Sequence, residues 1–439
     1  MSVPIVILAV TFVVLLVLNV PVAFCMGVAT MLALLAIGVS EGAPAVQALQ
    51  TEAHRIGTSI ESFTLLAIPF FILAGAVMGN GGVARRLIDF ANGVVGGFRG
   101  GLSQVNVGTC MMFGSISGSA AAAVSAIGSF MIPAMNSKGY DRDFNASVTI
   151  TASTTGLLIP PSNVMIVYSL ATGGAVSVVA IFAAGILPGL LMGVALGITA
   201  AIISVRRNYG RGEGVGAGQT LVRFLKCFPA LLLFVIVLGG ILGGVFTATE
   251  ASAIAVVYAL VMELLIYRDL DWRKLPAIFL QAAVTTAVVM ILIGTSMAMS
   301  WVLTYEGVPQ EISAALLAVT ENPYVVLLII TFILLAVGTF MDMTPAVLIF
   351  TPIFLPVVTT PEFGVDPVHF GIIMIMNLCI GLCTPPVGTA LFLGCGIART
   401  TVANVVQPMI PFYAAMIIVL LLTIYLEPIS MFLPNLFGF

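Results

Sequence analysis

The sequence predicts an all-α polytopic membrane protein, built as an inverted repeat with two re-entrant hairpins and two broken helices. Three observations carry that prediction. Of the 439 residues 60% are hydrophobic and 8% charged, and the mean hydropathy is +1.20. A soluble domain carries about 25% charged residues, so this chain has no ordinary solvated surface to present. Double prolines then interrupt two long apolar runs, at Gly156-Leu-Leu-Ile-Pro-Pro-Ser-Asn163 and Gly381-Leu-Cys-Thr-Pro-Pro-Val-Gly388. Finally, these two stretches lie 225 residues apart, and other residues match at the same offset.

One crossing takes ~20 apolar residues. Spans on that measure fall at 3–19, 21–39, 62–80, 143–171, 175–204, 225–246, 249–267, 276–304, 367–397 and 405–433. The first begins at Val3 without a basic n-region and continues as a span, so it reads as a retained helix and not as a cleavable leader. Two further runs, 101–136 and 323–358, carry small and polar residues at their middles: Gly114-Ser-Ile-Ser-Gly-Ser-Ala120 and Gly338-Thr-Phe-Met-Asp-Met-Thr-Pro345. Each half-run of ~15 residues rises only ~22 Å against a hydrocarbon core of ~30 Å. A re-entrant hairpin fits that arm length better than a single tilted crossing.

Charge placement tests the hairpins. Let both runs return to the side they left, and let the loop with Arg206, Arg207, Arg211, Arg223 and Lys226 be cytoplasmic. Then Arg85, Arg86, Arg99, Lys138, Arg142, Arg268, Arg273, Lys274 and Arg399 also fall on the cytoplasmic side, and of the 15 basic residues only Arg55 does not. Glu306, Glu311, Glu321, Glu362 and Asp366 fall outside, as do both termini. The segments 143–171 and 367–397 then start from opposite faces. At the shared offset Gly82-Val83 matches Gly307-Val308, Gly139 matches Gly364, Asp141 matches Asp366, and the Gly-Leu and Pro-Pro pairs of the breaks match each other. An inverted repeat follows from that register. Amphipathic stretches, Ala84–Val95 and Pro309–Thr320, precede the hairpins and suit arms lying flat in the interface. The loop 208–219 reads as a flexible connector between the halves.

A double proline removes two amide donors and clashes with the preceding turn, so the helix opens there. Opened backbone at membrane depth survives only where it is buried in protein or lines a wet cavity. Paired breaks in the two halves of a chain point to a transporter's binding site. In the first half Ser115, Ser117 and Ser119 face Gly156, Pro160, Ser162 and Asn163; in the second Thr339, Asp342 and Thr344 face Gly381, Thr384, Pro385, Gly388 and Thr389. Carbonyl and hydroxyl oxygens of unwound backbone suit a small cation such as Na⁺, and half-helix N-termini suit an anion. Asp342 is the sharpest residue, because an ionised Asp at the bilayer centre costs ~2.5–3.5 kcal/mol and needs a partner or a cavity. For the serines the competing explanation is tight helix packing by small residues.

Other chemistries find little support. The six cysteines show no CxxC spacing and read as small core residues, and His54 and His369 lack zinc-site spacing. No GxSxG motif, no HExxH motif and no pair of intramembrane aspartates marks an enzyme. A net charge of −3 gives no reason to expect nucleic acid. A passive channel would not need mirrored breaks at the midplane.

The motifs at 114–120, Gly139-Tyr-Asp141, Leu158-Ile-Pro-Pro-Ser-Asn163, 338–345 and Cys383-Thr-Pro-Pro-Val-Gly388 resemble the large membrane subunit of the TRAP transporters, the tripartite ATP-independent periplasmic family. The resemblance spans nearly the whole chain. It implies an elevator-type protein of the bacterial inner membrane that imports an organic acid, such as a C4-dicarboxylate or a sialic acid, with Na⁺ as coupling ion and no other cofactor. It also implies a four-helix small membrane subunit and a periplasmic substrate-binding protein as partners. Carried onto this chain, scaffold spans and the first arm fall in 1–100, the first hairpin and break in 101–205, and connector and scaffold spans in 206–305. The second arm falls in 306–322, and the second hairpin, second break and last span in 323–439. One Na⁺ would sit at each tip and break, with the substrate carboxylate between them at Ser117, Asn163, Thr344 and Thr384. The nearest competing expectation is a stand-alone divalent-anion/sodium symporter that takes free substrate.

Overall fold

The computed structural model describes residues 2–210 and 216–439, which hold helices and no β-strand. The chain opens with α1 (Val3–Val17), α2 (Val22–Glu41), α3 (Ala45–Ser59), α4 (Ala67–Asn80) and α5 (Val83–Val95). Then come α6 (Gly101–Ser117), α7 (Ala120–Ser137), α8 (Arg142–Thr155), α9 (Asn163–Ala171), α10 (Val178–Arg206), α11 (Ala217–Leu242) and α12 (Ala248–Val261). Next are α13 (Leu275–Tyr305), α14 (Val308–Val319), α15 (Pro323–Gly338) and α16 (Met343–Val358). The chain ends with α17 (Pro367–Gly381), α18 (Thr389–Ala398), α19 (Val402–Tyr425) and α20 (Pro428–Phe437). Among the described residues eight helices are long and apolar enough to cross a membrane, or ten if each bent pair counts as one.

Side-chain contacts fix the direction of each hairpin. Asn106 on α6 donates to Thr149 Oγ1 on α8 at 2.7 Å and also reaches Met135 Sδ on α7 at 3.7 Å. Asn145, near the start of α8, donates to Asn136 near the end of α7. So α6 runs parallel to α8 and α7 runs back against it, which returns the chain to the end it left. The second half repeats the pattern. Asn377 on α17 reaches Thr331 on α15, and Thr351 on α16 reaches Met374 on α17. The caps correspond too: Asp141 accepts from the amides of Asp143 and Phe144, and Asp366 from those of Val368 and His369. Each cap satisfies amides at a helix start. Asp366→Ala is expected to lower stability by about 1 kcal/mol, checked as a fall in melting temperature of the detergent-purified protein.

The second limb of each break crosses to the other half. Helix α9 packs on α16 and α18 on α7. Tyr168 donates its hydroxyl proton to Pro367 O at 2.6 Å, and Arg142 reaches Arg399 O at 3.5 Å. Thr154 and Cys379, 225 positions apart, touch each other directly, through the Cys379 thiol and Thr154 O at 3.3 Å. Helix α8 lies at the centre of this arrangement. Phe144 to Thr155 are all buried although seven of the twelve are polar. Thr149, Thr151 and Ser153 satisfy their hydroxyls on carbonyls one turn back, at 2.7–2.8 Å, so the helix carries polar groups without leaving any of those three unpaired.

A second group of helices, α1, α2, α3, α4, α11, α12 and α13, packs mainly on itself. It meets the hairpins where α4 touches α6 and where α13 touches α16; α5 bridges α11 to α6, and α14 bridges α13 to α16. At one end of the molecule Arg86 pairs with Asp269, Arg223 reaches Asp89 O, Lys226 O accepts from Tyr267, and Arg207 pairs with Asp141. At the other end of α13, Ser2 bonds Glu306 and Tyr305 bonds Glu41. Arg86, Arg207, Arg223 and Lys226 thus lie at one end.

The structure corrects several sequence boundaries. The expected last span 405–433 stops at Tyr425, and a separate helix starts at Pro428, whose missing amide suits a first turn. The expected connector 208–219 is shorter, since α11 already begins at Ala217; residues 211–215 of it lie outside the described residues. Helix α3 was not expected at all. The arms start one residue early, at Val83 and Val308.

Candidate functional site

The first tip is closed by glycine geometry. Helix α6 ends at Ser117, Gly118 takes φ +61°, and Ser119 caps α7 by accepting from Ala122 N at 3.2 Å. Gly114 and Gly156 press together: a Cβ on Gly156 would lie 2.4 Å from Gly114 Cα. Beyond Gly156 the chain makes a 3-10 turn, extends at Ile159, passes the cis Pro160-Pro161 bond and re-enters helix at Asn163. The two limbs bend by 49°. Gly118 sits so close to Asn163 that a Cβ there would come within 2.8 Å of its amide nitrogen.

Oxygen atoms at this break are left without partners. Ser162 Oγ and Asn163 Oδ1 are buried and unbonded among the described residues. The carbonyls of Ile159, Pro160 and Pro161 accept no hydrogen bond there either. Buried polar groups are nearly always paired, so a cluster of orphan oxygens fits a small hard cation. The tip serines are engaged with their own hairpin: Ser115 donates to Met112 O at 2.8 Å, and Ser117 lies 3.4–3.5 Å from Ser119 O and Gly114 O.

The second site has the same parts and a different exposure. A Cβ on Gly381 would lie 2.6 Å from Gly338 Cα. Gly388 N donates to Thr339 O at 3.1 Å, which ties the break directly to the tip. Thr384 returns its hydroxyl proton to Ile380 O, and Thr339 to Ala336 O. Pro385-Pro386 is cis, as is its counterpart. Asp342 holds the N-cap position of α16 without a side-chain capping bond; the residue reaches the surface, as do Pro386, Val387 and Thr389, although protein atoms crowd its carboxyl. Thr344 is half-buried. The structure therefore joins Gly114 and Ser115 to Gly156, Gly118 to Asn163, Gly338 to Gly381 and Thr339 to Gly388, while Ser117 contacts its own hairpin. No hydrogen bond links Thr344 to Thr384, or either to Ser117 or Asn163, among the described residues.

Sequence reasoning missed the groups that meet the tips from outside. Gly75 on α4 faces the first tip, where a Cβ would stand 2.9 Å from Ser117 O. Only a sequence pattern at α4 could have hinted at it, and a lone glycine in an apolar helix is too common to read. A cavity of ≈ 280 Å³ with a mixed lining, bordered by Ser59, Ser62, Thr64 and Ser169 together with Leu170, Ile293 and Met297, also separates the end of α9 from the segment before α4. No group of three or more His, Cys, Asp or Glu among the described residues has metal-site geometry.

Residues 9–429 match the family described as the tripartite ATP-independent periplasmic transporter, DctM component. The chain is 46% identical, over 99% of its length and 98% of the relative's, to an uncharacterized protein YgiK of Salmonella typhimurium. It is 39% identical to the C4-dicarboxylate TRAP transporter large permease protein DctM of Pseudomonas aeruginosa, over 88% of this chain and 90% of that one. It is 40% identical to the isethionate TRAP transporter permease protein DctMQ of Oleidesulfovibrio alaskensis, over 96% of this chain and 65% of that one. The crystal structure of the YdaH transporter of Alcanivorax borkumensis shares the fold, with a TM-score of 0.65 at 13% identity over 87% of this chain and 88% of that one. The chain belongs to the DctM family, the large permeases of TRAP transporters, which are multi-pass proteins of the bacterial inner membrane and not enzymes.

Proposed function

We propose that this permease imports a small organic acid with the sodium gradient, by an elevator movement of the two hairpins and broken helices past the remaining spans. The observation that carries the reading is the first break, where Ser162 Oγ, Asn163 Oδ1 and three carbonyls stand unpaired against a glycine-sealed tip. A sodium ion there would satisfy oxygens that otherwise stay orphaned in a dry site. The second sodium site is formed by Thr339, Asp342, Thr344, Gly381, Thr384, Pro385, Gly388 and Thr389, and the substrate carboxylate lies between the sites near Ser117, Asn163, Thr344 and Thr384. The matched caps, the matched tip–break contacts and the contact between Thr154 and Cys379 support an inverted repeat with its axis near those two residues. Contacts within and between the two helix groups support a moving part in 101–205 and 323–439 on a scaffold in 1–100 and 206–305, with the second arm at 306–322.

A carboxylate as cargo is supported by a C4-dicarboxylate relative, and the isethionate relative widens the class to other small organic anions. The partners are a periplasmic binding protein that delivers the acid and a small membrane subunit. The test is uptake into proteoliposomes holding this chain with its small subunit. Accumulation is expected only with an inward sodium gradient and the loaded binding protein. Full-rate uptake of free acid, indifferent to the binding protein, would assign the chain to stand-alone symport. Asp342→Ala is expected to abolish sodium-driven uptake while expression and membrane insertion stay at wild-type level. An unchanged sodium dependence in that variant would remove Asp342 from the site.

A further inference from the structure

We infer that the groove between α2, α3 and α13 is a binding site for an aminophospholipid, whose acyl chain lies on the apolar walls and whose ammonium group meets Glu52. The groove encloses ≈ 470 Å³ and is walled by apolar side chains such as Phe24, Val28, Leu49, Ile56 and Ile291. Within that wall Glu52 is 7% exposed. Its carboxylate makes no hydrogen bond and no ion pair among the described residues; it lines the groove, with Oε1 3.9 Å from where a Cβ on Gly27 would stand. The one other polar side chain on the wall, Thr295, already donates its hydroxyl proton to Ile291 O at 2.9 Å.

A carboxylate set in an apolar wall without a partner is a costly arrangement. Burial alone pushes the Glu52 carboxyl up to about 7. A cation with N–H donors would restore its charge and complete its hydrogen bonds. A bare metal ion is a poor occupant, because one carboxylate supplies far fewer oxygens than such an ion takes.

The position of α3 selects a lipid. Gln47, Gln50, His54, Arg55 and Thr58 are exposed along one face, and Ala48 and Glu52 are buried on the other. That division suits a helix lying at the membrane surface, so the groove beneath it sits at headgroup level. Its mouth is ringed by exposed Phe24, Ile60 and Ile291, an apolar rim that suits acyl chains just below the headgroups. An occupant must therefore bring a chain and a positive head together. The site is independent of the transport reading above.

The test is native mass spectrometry of the purified permease in detergent with phosphatidylethanolamine, phosphatidylcholine and phosphatidylglycerol of matched chains. The wild type is expected to retain the ethanolamine lipid about tenfold over the glycerol lipid, and to prefer it over the choline lipid, which has no N–H. Glu52→Gln should lose that preference. Ala53→Trp, which fills the groove while keeping Glu52, should lose the lipid altogether. Equal retention of all three lipids by the wild type overturns the inference. So does release of the small subunit by Glu52→Gln with lipid retention unchanged, which would give the groove to a basic side chain of that partner.

Discussion

Gly156→Ala is expected to cut uptake by about 100-fold, and Gly381→Ala to do the same, while Gly108→Ala leaves it intact. The new methyl at 156 would stand 2.4 Å from Gly114 Cα and 2.8 Å from Ser115 N, and the one at 381 would stand 2.6 Å from both Gly338 Cα and C. Ordinary carbon contacts sit at about 3.5–4.0 Å, so tip and break must separate by about 1 Å. All of those neighbours are backbone atoms, which no rotamer change can move aside. Overpacking of this kind costs about 1–3 kcal/mol, which leaves the protein folded but moves apart the oxygens proposed to hold sodium. Gly108 lies on the same helix as Gly114 and has nothing within 4 Å of an added Cβ. There alanine removes backbone freedom and is expected to stabilise by about 0.5–1 kcal/mol. The measurement is initial uptake rate together with melting temperature. Uptake within twofold of wild type in Gly156→Ala would mean that the glycine seal has no part in transport.

The parts of the site that were legible in the sequence are the ones whose chemistry is local. Pro160-Pro161 and Pro385-Pro386 forbid a continuous helix whatever surrounds them, and both breaks stand where they were expected. Gly118 and Ser119 end one helix and cap the next with their own atoms. Asp141 and Asp366 matched at the shared offset, and the structure supplies the reason in two equivalent helix caps. What was not legible depends on distant partners. The sequence pairs each break with the hairpin of its own half, and the first limbs obey. The second limbs do not, because α9 and α18 find their packing on α16 and α7. No residue within α9 or α18 announces that exchange.

Helix α3 escaped for a different reason. Counting apolar runs finds helices surrounded by hydrocarbon, whereas α3 alternates a polar face with Leu49, Ala53 and Ile56 and holds too few apolar residues to register. Its period of three and four was available as a signal. The openness of the second site is likewise a tertiary result. Asp342 and Ser117 occupy equivalent places at the two tips, 225 positions apart, yet residue 342 reaches the surface and Ser117 is buried.

Ser162 offers a test in which a structural role and a ligand role give opposite results. As a packing residue its hydroxyl is a defect, for a buried oxygen without a partner costs about 1–3 kcal/mol. Ser162→Ala removes that atom and changes little else, so the variant is expected to melt at a higher temperature than wild type in sodium-free buffer. If the same oxygen is a sodium ligand, the variant must lose what sodium provides. Ligand that binds only the folded state stabilises it by RT ln(1 + [L]/Kd), so a tenfold loss of affinity shrinks the sodium-induced shift by about 1.4 kcal/mol once sodium is well above both constants. The expected result is therefore a crossing: Ser162→Ala more stable than wild type without sodium, and its advantage gone or reversed with sodium. Half-maximal uptake should move to about tenfold higher sodium. Asn163→Ala should shift sodium affinity in the same direction, since Asn163 Oδ1 is buried and unpaired beside it. Parallel melting curves, with the same sodium shift in both variants as in wild type, would show that these oxygens are only unpaired and would remove the first break from the coupling site.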